Sequence, residues 1–78
     1  MSSALYYRGP SEPGGDDDII AEVVDGMLRR SIEISNDGVA RCIGFDDYPI
    51  AIDMDAVADY VWPVSEREFN EAWVRHCS

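Results

Sequence analysis

The apolar residues between Asp16 and Arg30 recur at a spacing that constrains the fold more than any other stretch of the chain. They stand at positions i, i+1, i+4, i+5, i+8 and i+9, and they are Ile19, Ile20, Val23, Val24, Met27 and Leu28. Side chains at this spacing share one stripe of an α-helix. Acids at 16–18 precede the stripe and two arginines end it, as the helix macrodipole favours. We therefore predict an amphipathic helix, with the three aspartates acting as caps, as a partner-facing acidic patch or as a metal site.

Residues 31–45 have the alternation of a β-hairpin. Isoleucines alternate with polar residues before the sequence SNDG, which supplies turn chemistry, and apolar residues alternate again after it. The alternating side chains are Ile32, Ile34, Val39, Ile43 and Phe45. We predict two antiparallel strands joined at this turn, with Cys42 as a small buried residue of the second strand.

From residue 50 the larger apolar side chains Ile50, Ile52 and Met54 alternate with Ala51, Asp53 and Asp55, which is the pattern of a strand with one apolar face and one acidic face. Asp53 and Asp55 then point outward together. Asp55 is placed to cap a short helix, AVADYVW, which ends before Pro63 because proline disfavours helical geometry in the residue before it.

The last segment opens with SERE, the sequence of a capping box. Ser65 would accept a hydrogen bond from a free amide at the start of a helix, and Glu68 would reach back to the cap. Phe69 and Trp73 follow at helical spacing. We predict a C-terminal helix with these two rings as anchors of the core.

The elements together predict an α+β fold, a small antiparallel sheet of about three strands packed with two or three helices. Residues 1–15 contain RGPSEPGG and are expected to form an N-terminal arm that could add a short strand, while residues 16–78 form a single compact domain. A chain of 78 residues buries only about 60% of the surface that its unfolded form exposes. A homodimer or a protein partner could add burial.

The charge of the chain is strongly negative. Sixteen Asp and Glu face six basic residues, all of them Arg, for a formal net charge of -10. Such a surface repels nucleic acid and anionic lipid and attracts basic proteins, at rates that fall as salt rises. We expect a basic protein surface as the partner and no direct contact with nucleic acid or membrane; the alternative is that the charge serves only solubility.

The sequence offers little for catalysis or for a cofactor. The single histidine, His76, neighbours Cys77 in the chain, and neighbours on a helix point to different sides. The acids lack the spacing of an EF-hand, and two Cys with one His fall short of a zinc shell. We therefore expect no enzyme activity, no cofactor and no metal, with Cys77 available for an adventitious intermolecular disulfide.

Residues 1–4 lack the basic and apolar regions of a signal peptide, and no apolar run approaches the length of roughly 18 residues that spans a bilayer. A cytoplasmic location is the expectation.

In length, acidity and lack of a catalytic motif, the chain resembles the small phage-encoded inhibitors of bacterial defence, the anti-CRISPR proteins and other DNA mimics. The resemblance implies a protein of the bacterial cytoplasm that binds a CRISPR effector complex and blocks its access to DNA. An antitoxin, immunity or adaptor protein that neutralises another basic protein is the alternative, followed by an accessory subunit. The candidate partner-binding residues are Asp46, Asp47, Asp53, Asp55, Asp59, Asp16, Asp17, Asp18, Glu66 and Glu71.

Overall fold

The structure is a computed structural model that describes residues 4–45 and 50–77. These residues form one antiparallel sheet of six strands and two helices. The elements in chain order are β1 (Ala4–Gly9), β2 (Asp18–Val24), β3 (Met27–Ile34), β4 (Ala40–Gly44), β5 (Ile50–Ala51), α1 (Met54–Val57), β6 (Trp62–Val64) and α2 (Glu66–Cys77). The predicted sheet of three strands with two or three helices is wrong, because the described residues form six strands, and α1 is a single turn beside the longer helix α2.

The largest correction concerns the helix predicted after Asp16, which is the β2–β3 hairpin instead. Asp25 and Gly26 form its two-residue turn, with φ of 53° and 77°. Positive φ at both positions is what a type I′ hairpin turn requires, and Asp-Gly between apolar residues is a strong signal for it. The apolar spacing suggests a helix because β2 is apolar on both faces of the sheet. Adjacent apolar residues that point to opposite faces of a strand then look like the adjacent pairs on one side of an amphipathic helix.

Strand order along the sheet is β4-β3-β2-β1-β6, and β5 also pairs with β3. Strand β1 comes from the segment expected to be an arm, and it pairs with β2 on one side and β6 on the other. Its Tyr6 is 8% exposed and belongs to the core. The segment rich in proline and glycine is the connection from β1 to β2.

The predicted β3–β4 hairpin is confirmed, with Ile32 opposite Cys42 and Ile34 opposite Ala40. Its turn is closed by the Ser35 amide, which donates to the Val39 carbonyl at 3.0 Å. The strand predicted from residue 50 is shorter than expected, since β5 ends at Ala51, and the helix predicted for 56–62 is wrong in its bounds, since α1 covers Met54–Val57 and Trp62 begins β6.

Helix α2 covers one face of the sheet and forms the main core there. Phe69 is fully buried and packs with Tyr6, Ile20 and Ile32, while Trp73 lies against the edge of this cluster. Ser65 caps the helix by accepting a hydrogen bond from the Glu68 amide at 3.0 Å. The C-terminal helix, its serine cap and its aromatic anchors are therefore confirmed.

A disulfide joins Cys42 of β4 to Cys77 at the end of α2, with the two Cα atoms 5.8 Å apart. The bond fastens the last turn of α2 to the edge strand of the sheet. Cys42 is exposed rather than buried, so the expectation of a buried strand cysteine is wrong. Cys77 has its partner within the same chain instead of on another molecule.

Candidate protein-binding surface

Both faces of the sheet are covered, and neighbouring residues of a strand point to opposite faces. Tyr6, Ile20 and Ile32 point to the face that α2 covers. Their neighbours Tyr7, Ile19 and Ser31 point to the other face, over which residues 52–61 run. The candidate acids at 53, 55 and 59 therefore lie on the opposite side of the sheet from Glu66 and Glu71 of α2.

A charged network under α2 serves the fold. Arg30 donates two hydrogen bonds of 2.9 Å to the carboxylate of Glu22, which also accepts one from the Tyr6 hydroxyl at 3.1 Å. The same guanidinium lies 4.9 Å from the centre of the Phe69 ring and 4.8 Å from that of Trp73. Hydrogen bonding from Arg30 lowers the pKa of Glu22, and burial together with the bond to Glu22 raises the pKa of Tyr6. These groups hold α2 against the sheet. Their charges are paired with one another within the chain.

Two of the three aspartates at 16–18 also have internal partners. Asp18 accepts three hydrogen bonds from Arg8, the shortest 2.6 Å long, and Arg8 also lies 3.7 Å from a carboxylate oxygen of Glu68. Asp17 accepts a hydrogen bond from the Ser11 amide, and bonding to Ser11 lowers the pKa of Asp17. Asp16 is exposed. These acids therefore belong to a strand start and a loop rather than to a helix cap.

The acids of residues 52–61 are the most open to solvent. Asp53, and not Asp55, caps α1: its side chain accepts hydrogen bonds from the amides of Asp55 at 3.1 Å and Ala56 at 3.3 Å. Asp55 and Asp59 are exposed and form no ion pair with any residue that the structure describes. The three carboxylates therefore remain available to a partner.

The candidate acids do not form one continuous surface. Glu71 is exposed on α2 and pairs with Arg67 at 3.0 Å, and Glu66 is exposed on the same helix. Asp46 and Asp47 lie outside the described residues. The structure thus divides the predicted surface into an α2 side and a side formed by residues 52–61.

An apolar groove between the sheet and residues 52–61 was missed by the sequence reasoning. Its cavity has a volume of about 180 Å³, and its walls include Tyr7, Val23, Leu28, Met54 and Val57. The wall residues contributed by 52–61 are all only half-buried. The apolar residues at 52, 54 and 57 were visible in the sequence, but their partners on the sheet depend on the pairing of distant strands.

One end of the groove is closed by a close approach of backbones. A Cβ atom on Gly9 would lie 2.5 Å from the Tyr60 carbonyl oxygen and 2.9 Å from the Val61 Cα. Only glycine leaves room for residues 60 and 61 to pass this close to β1. At the other end, the Ile52 amide donates to the Gly26 carbonyl at 3.0 Å, which ties the start of the segment to the β2–β3 turn.

The described residues offer few side chains for metal binding or nucleophilic catalysis. Within residues 4–45 and 50–77, no three His, Cys, Asp or Glu side chains are grouped so that they could hold a metal ion. Cys77 is in the disulfide, so it presents no thiol beside His76. Neither α1 nor α2 is long and apolar enough to cross a membrane.

No family model, curated protein or solved structure matches the chain. Its function must therefore be argued from its own residues.

Proposed function

We propose that the protein is an acidic protein-binding inhibitor that covers a basic nucleic-acid-binding surface of a bacterial defence complex, as anti-CRISPR and DNA-mimic inhibitors do. The observation that carries the proposal is the exposed set Asp53, Asp55 and Asp59 in a chain of net charge -10. Exposed carboxylates that lack cations of their own steer a protein toward Lys and Arg surfaces and away from phosphates. The inhibitor binds its target protein and does not itself bind nucleic acid.

The distribution of arginines supports the proposal. Arg8, Arg30 and Arg67 are each paired with carboxylates of the same chain. Pairing of this kind uses up positive charge inside the molecule, so the negative potential on the side of residues 52–61 is not offset by these groups. Residues 52–61 contain three aspartates and no basic residue, so a basic partner would meet only acids on this segment.

The first experiment is a pull-down from bacterial lysate with the tagged protein, treated with nuclease and eluted in steps of rising salt. We expect a basic nucleic-acid-binding complex that releases as salt rises and is displaced by added duplex DNA, because both effects follow from competition for the same cations. Retention of a partner that is indifferent to salt and to DNA would refute the proposal.

Two charge-reversal pairs identify the face that binds. Asp55→Lys with Asp59→Lys changes the charge on the side of residues 52–61 and leaves the Asp53 cap in place. Glu66→Lys with Glu71→Lys makes the same change in charge on α2. We expect the first pair to abolish capture and the second to retain most of it, with thermal melts confirming that both variants fold. Equal capture by the first pair and the wild type would remove these acids from the proposal.

The proposal places the protein in the cytoplasm of a bacterial host. Thiols are kept reduced there. The inhibitor must then bind its target with Cys42 and Cys77 reduced, and capture should be retained in a reductant at temperatures below the melting temperature of the reduced protein.

A further inference from the structure

An apolar row crosses the sheet at the end of the groove nearest the β2–β3 turn. Leu5 is opposite Val23, Val23 is opposite Leu28, and Leu28 is opposite Ile50, so one side chain from each of four strands lies in the row. The two ends of the row are open to solvent: Leu5 is 53% and Ile50 is 49% exposed, whereas Val23 is 3% exposed. The apolar surface therefore continues from the groove out to the edge of the molecule.

A β-bulge creates this row. The register shifts between Glu22 and Val23, so that Glu22 is opposite Arg30 while Val23 is opposite Leu28. The extra residue, Arg29, reverses the alternation of β3 and turns Leu28 to the groove face. Regular pairing would have placed Leu28 on the face that α2 covers.

Three acidic residues belong to the segments that meet at the same end of the groove. The hydrogen bond from the Ile52 amide to the Gly26 carbonyl brings the neighbouring residues Asp25 and Asp53 to this end, and Asp55 follows on the first turn of α1. Asp25 and Asp55 are exposed and have no ion pair within the described part of the chain. We name this end of the groove the mouth, defined by the row Leu5, Val23, Leu28 and Ile50 and by the acids Asp25, Asp53 and Asp55.

We propose that the mouth takes a single large apolar side chain from a Lys- or Arg-rich segment of the partner protein, with the basic neighbours of that side chain contacting Asp25, Asp53 and Asp55. The inference rests on the proposed function, since it supplies the contact through which a basic target is recognised. The cavity that opens at the mouth is lined in part by Val23 and Leu28, and its volume of about 180 Å³ suits one side chain, because a cavity of about 150 Å³ accepts a benzene-sized ring. Charge alone would bind any cationic surface, whereas an apolar anchor surrounded by acids selects for a particular segment.

Three synthetic peptides test this inference, each with four lysines around a central leucine, tryptophan or glycine. Binding is measured by titration calorimetry at low and at high salt. We expect the leucine and tryptophan peptides to bind at least about tenfold more tightly than the glycine peptide, which is the effect of burying one such side chain. All three affinities should fall as salt rises.

Variants locate the site. Leu5→Ser with Ile50→Ser should remove the advantage of the apolar peptides and leave the salt-dependent affinity of the glycine peptide unchanged. Val39→Ser is the matched control, because Val39 is 63% exposed but lies in the β3–β4 turn away from the mouth. Asp25→Asn, Asp53→Asn and Asp55→Asn together keep the turn and the cap, since asparagine serves in both, and should weaken all three peptides.

The outcomes separate this inference from the proposed function. Salt-dependent binding without any advantage for the apolar peptides, or an advantage that survives Leu5→Ser with Ile50→Ser, would overturn the groove inference alone. Affinities that do not fall as salt rises, for any of the three peptides, would overturn the basic partner and the proposed function with it.

Discussion

Reduction of the Cys42–Cys77 disulfide should destabilise the protein by a large fraction of its total stability. The bond closes a loop of 35 residues, and the loss of unfolded-chain entropy for a loop of that length corresponds to about 3.8 kcal/mol at 25 °C. Domains are stable by roughly 0.05 to 0.15 kcal/mol per residue, which for 78 residues gives about 4 to 12 kcal/mol. With an unfolding entropy of about 2.1 cal/mol/K per residue, the melting temperature should fall by about 20 °C.

The assay is thermal unfolding followed by circular dichroism, with and without a phosphine reductant. The variant Cys42→Ser with Cys77→Ser should melt near the reduced wild type and should not respond to the reductant. Hydrogen exchange should show the loss first in the last turn of α2, because Phe69 and the Ser65 cap still hold the rest of the helix.

Two results would refute this reasoning. Alkylation of both cysteines in the folded, unreduced protein would show that the bond does not form. A bond that forms but whose reduction lowers the melting temperature by only a few degrees would show that the unfolded chain is already compact or that α2 is held by its apolar contacts alone.

The other predictions concern packing and charge. Gly9→Ala should lower the free energy of unfolding, measured in urea, by about 1 to 3 kcal/mol, because its Cβ would meet the backbone of residues 60 and 61. Gly44→Ala is the control and should have a much smaller effect, since a Cβ there meets nothing within 4 Å. Equal losses in the two variants would contradict the close approach at Gly9. Trp73→Ala should cost about 3 kcal/mol, near the lower end for a large aromatic because Trp73 is only half-buried, and an unchanged melt would mean that the ring is peripheral. The pKa of Glu22 is lowered in the folded protein, so its contribution to stability is present above its ordinary pKa of 4.5 and is lost as pH falls through the folded pKa. Glu22→Gln should therefore flatten the plot of unfolding free energy against pH below about pH 4.5. An unaltered pH dependence in this range would contradict the pairing with Arg30.

Local chemistry explains which parts of the fold were predicted correctly. The capping box at Ser65 and the spacing of Phe69 and Trp73 specify α2 without reference to the rest of the chain. The turn sequence at 35–38 likewise specifies the β3–β4 hairpin. Each signal acts over a few neighbouring residues, so it can be recognised in the sequence alone.

The β2–β3 hairpin shows where local patterns conflict. The apolar spacing of residues 19–28 favours a helix, while Asp25-Gly26 favours a tight turn, and the structure follows the turn. The outcome depends on β1 and β3, which flank β2 in the sheet and supply hydrogen bonds to its backbone. An isolated helix of this length would have been marginal in water.

The candidate binding surface likewise combines features that follow from local sequence with features that follow from tertiary structure. The sequence by itself determined the negative charge and the absence of lysine, and it placed acids at 53 and 55, although their exposure comes from the cap and first turn of α1 rather than from strand alternation. Only the tertiary structure decided that Asp25 joins them, that a bulge at Arg29 turns Leu28 to the groove, and that Cys42 meets Cys77. These contacts join residues far apart in the chain, and strand register and the covering of each sheet face place them together. Charge and turn preference belong to single residues or short segments, whereas a groove exists only once separate strands have paired.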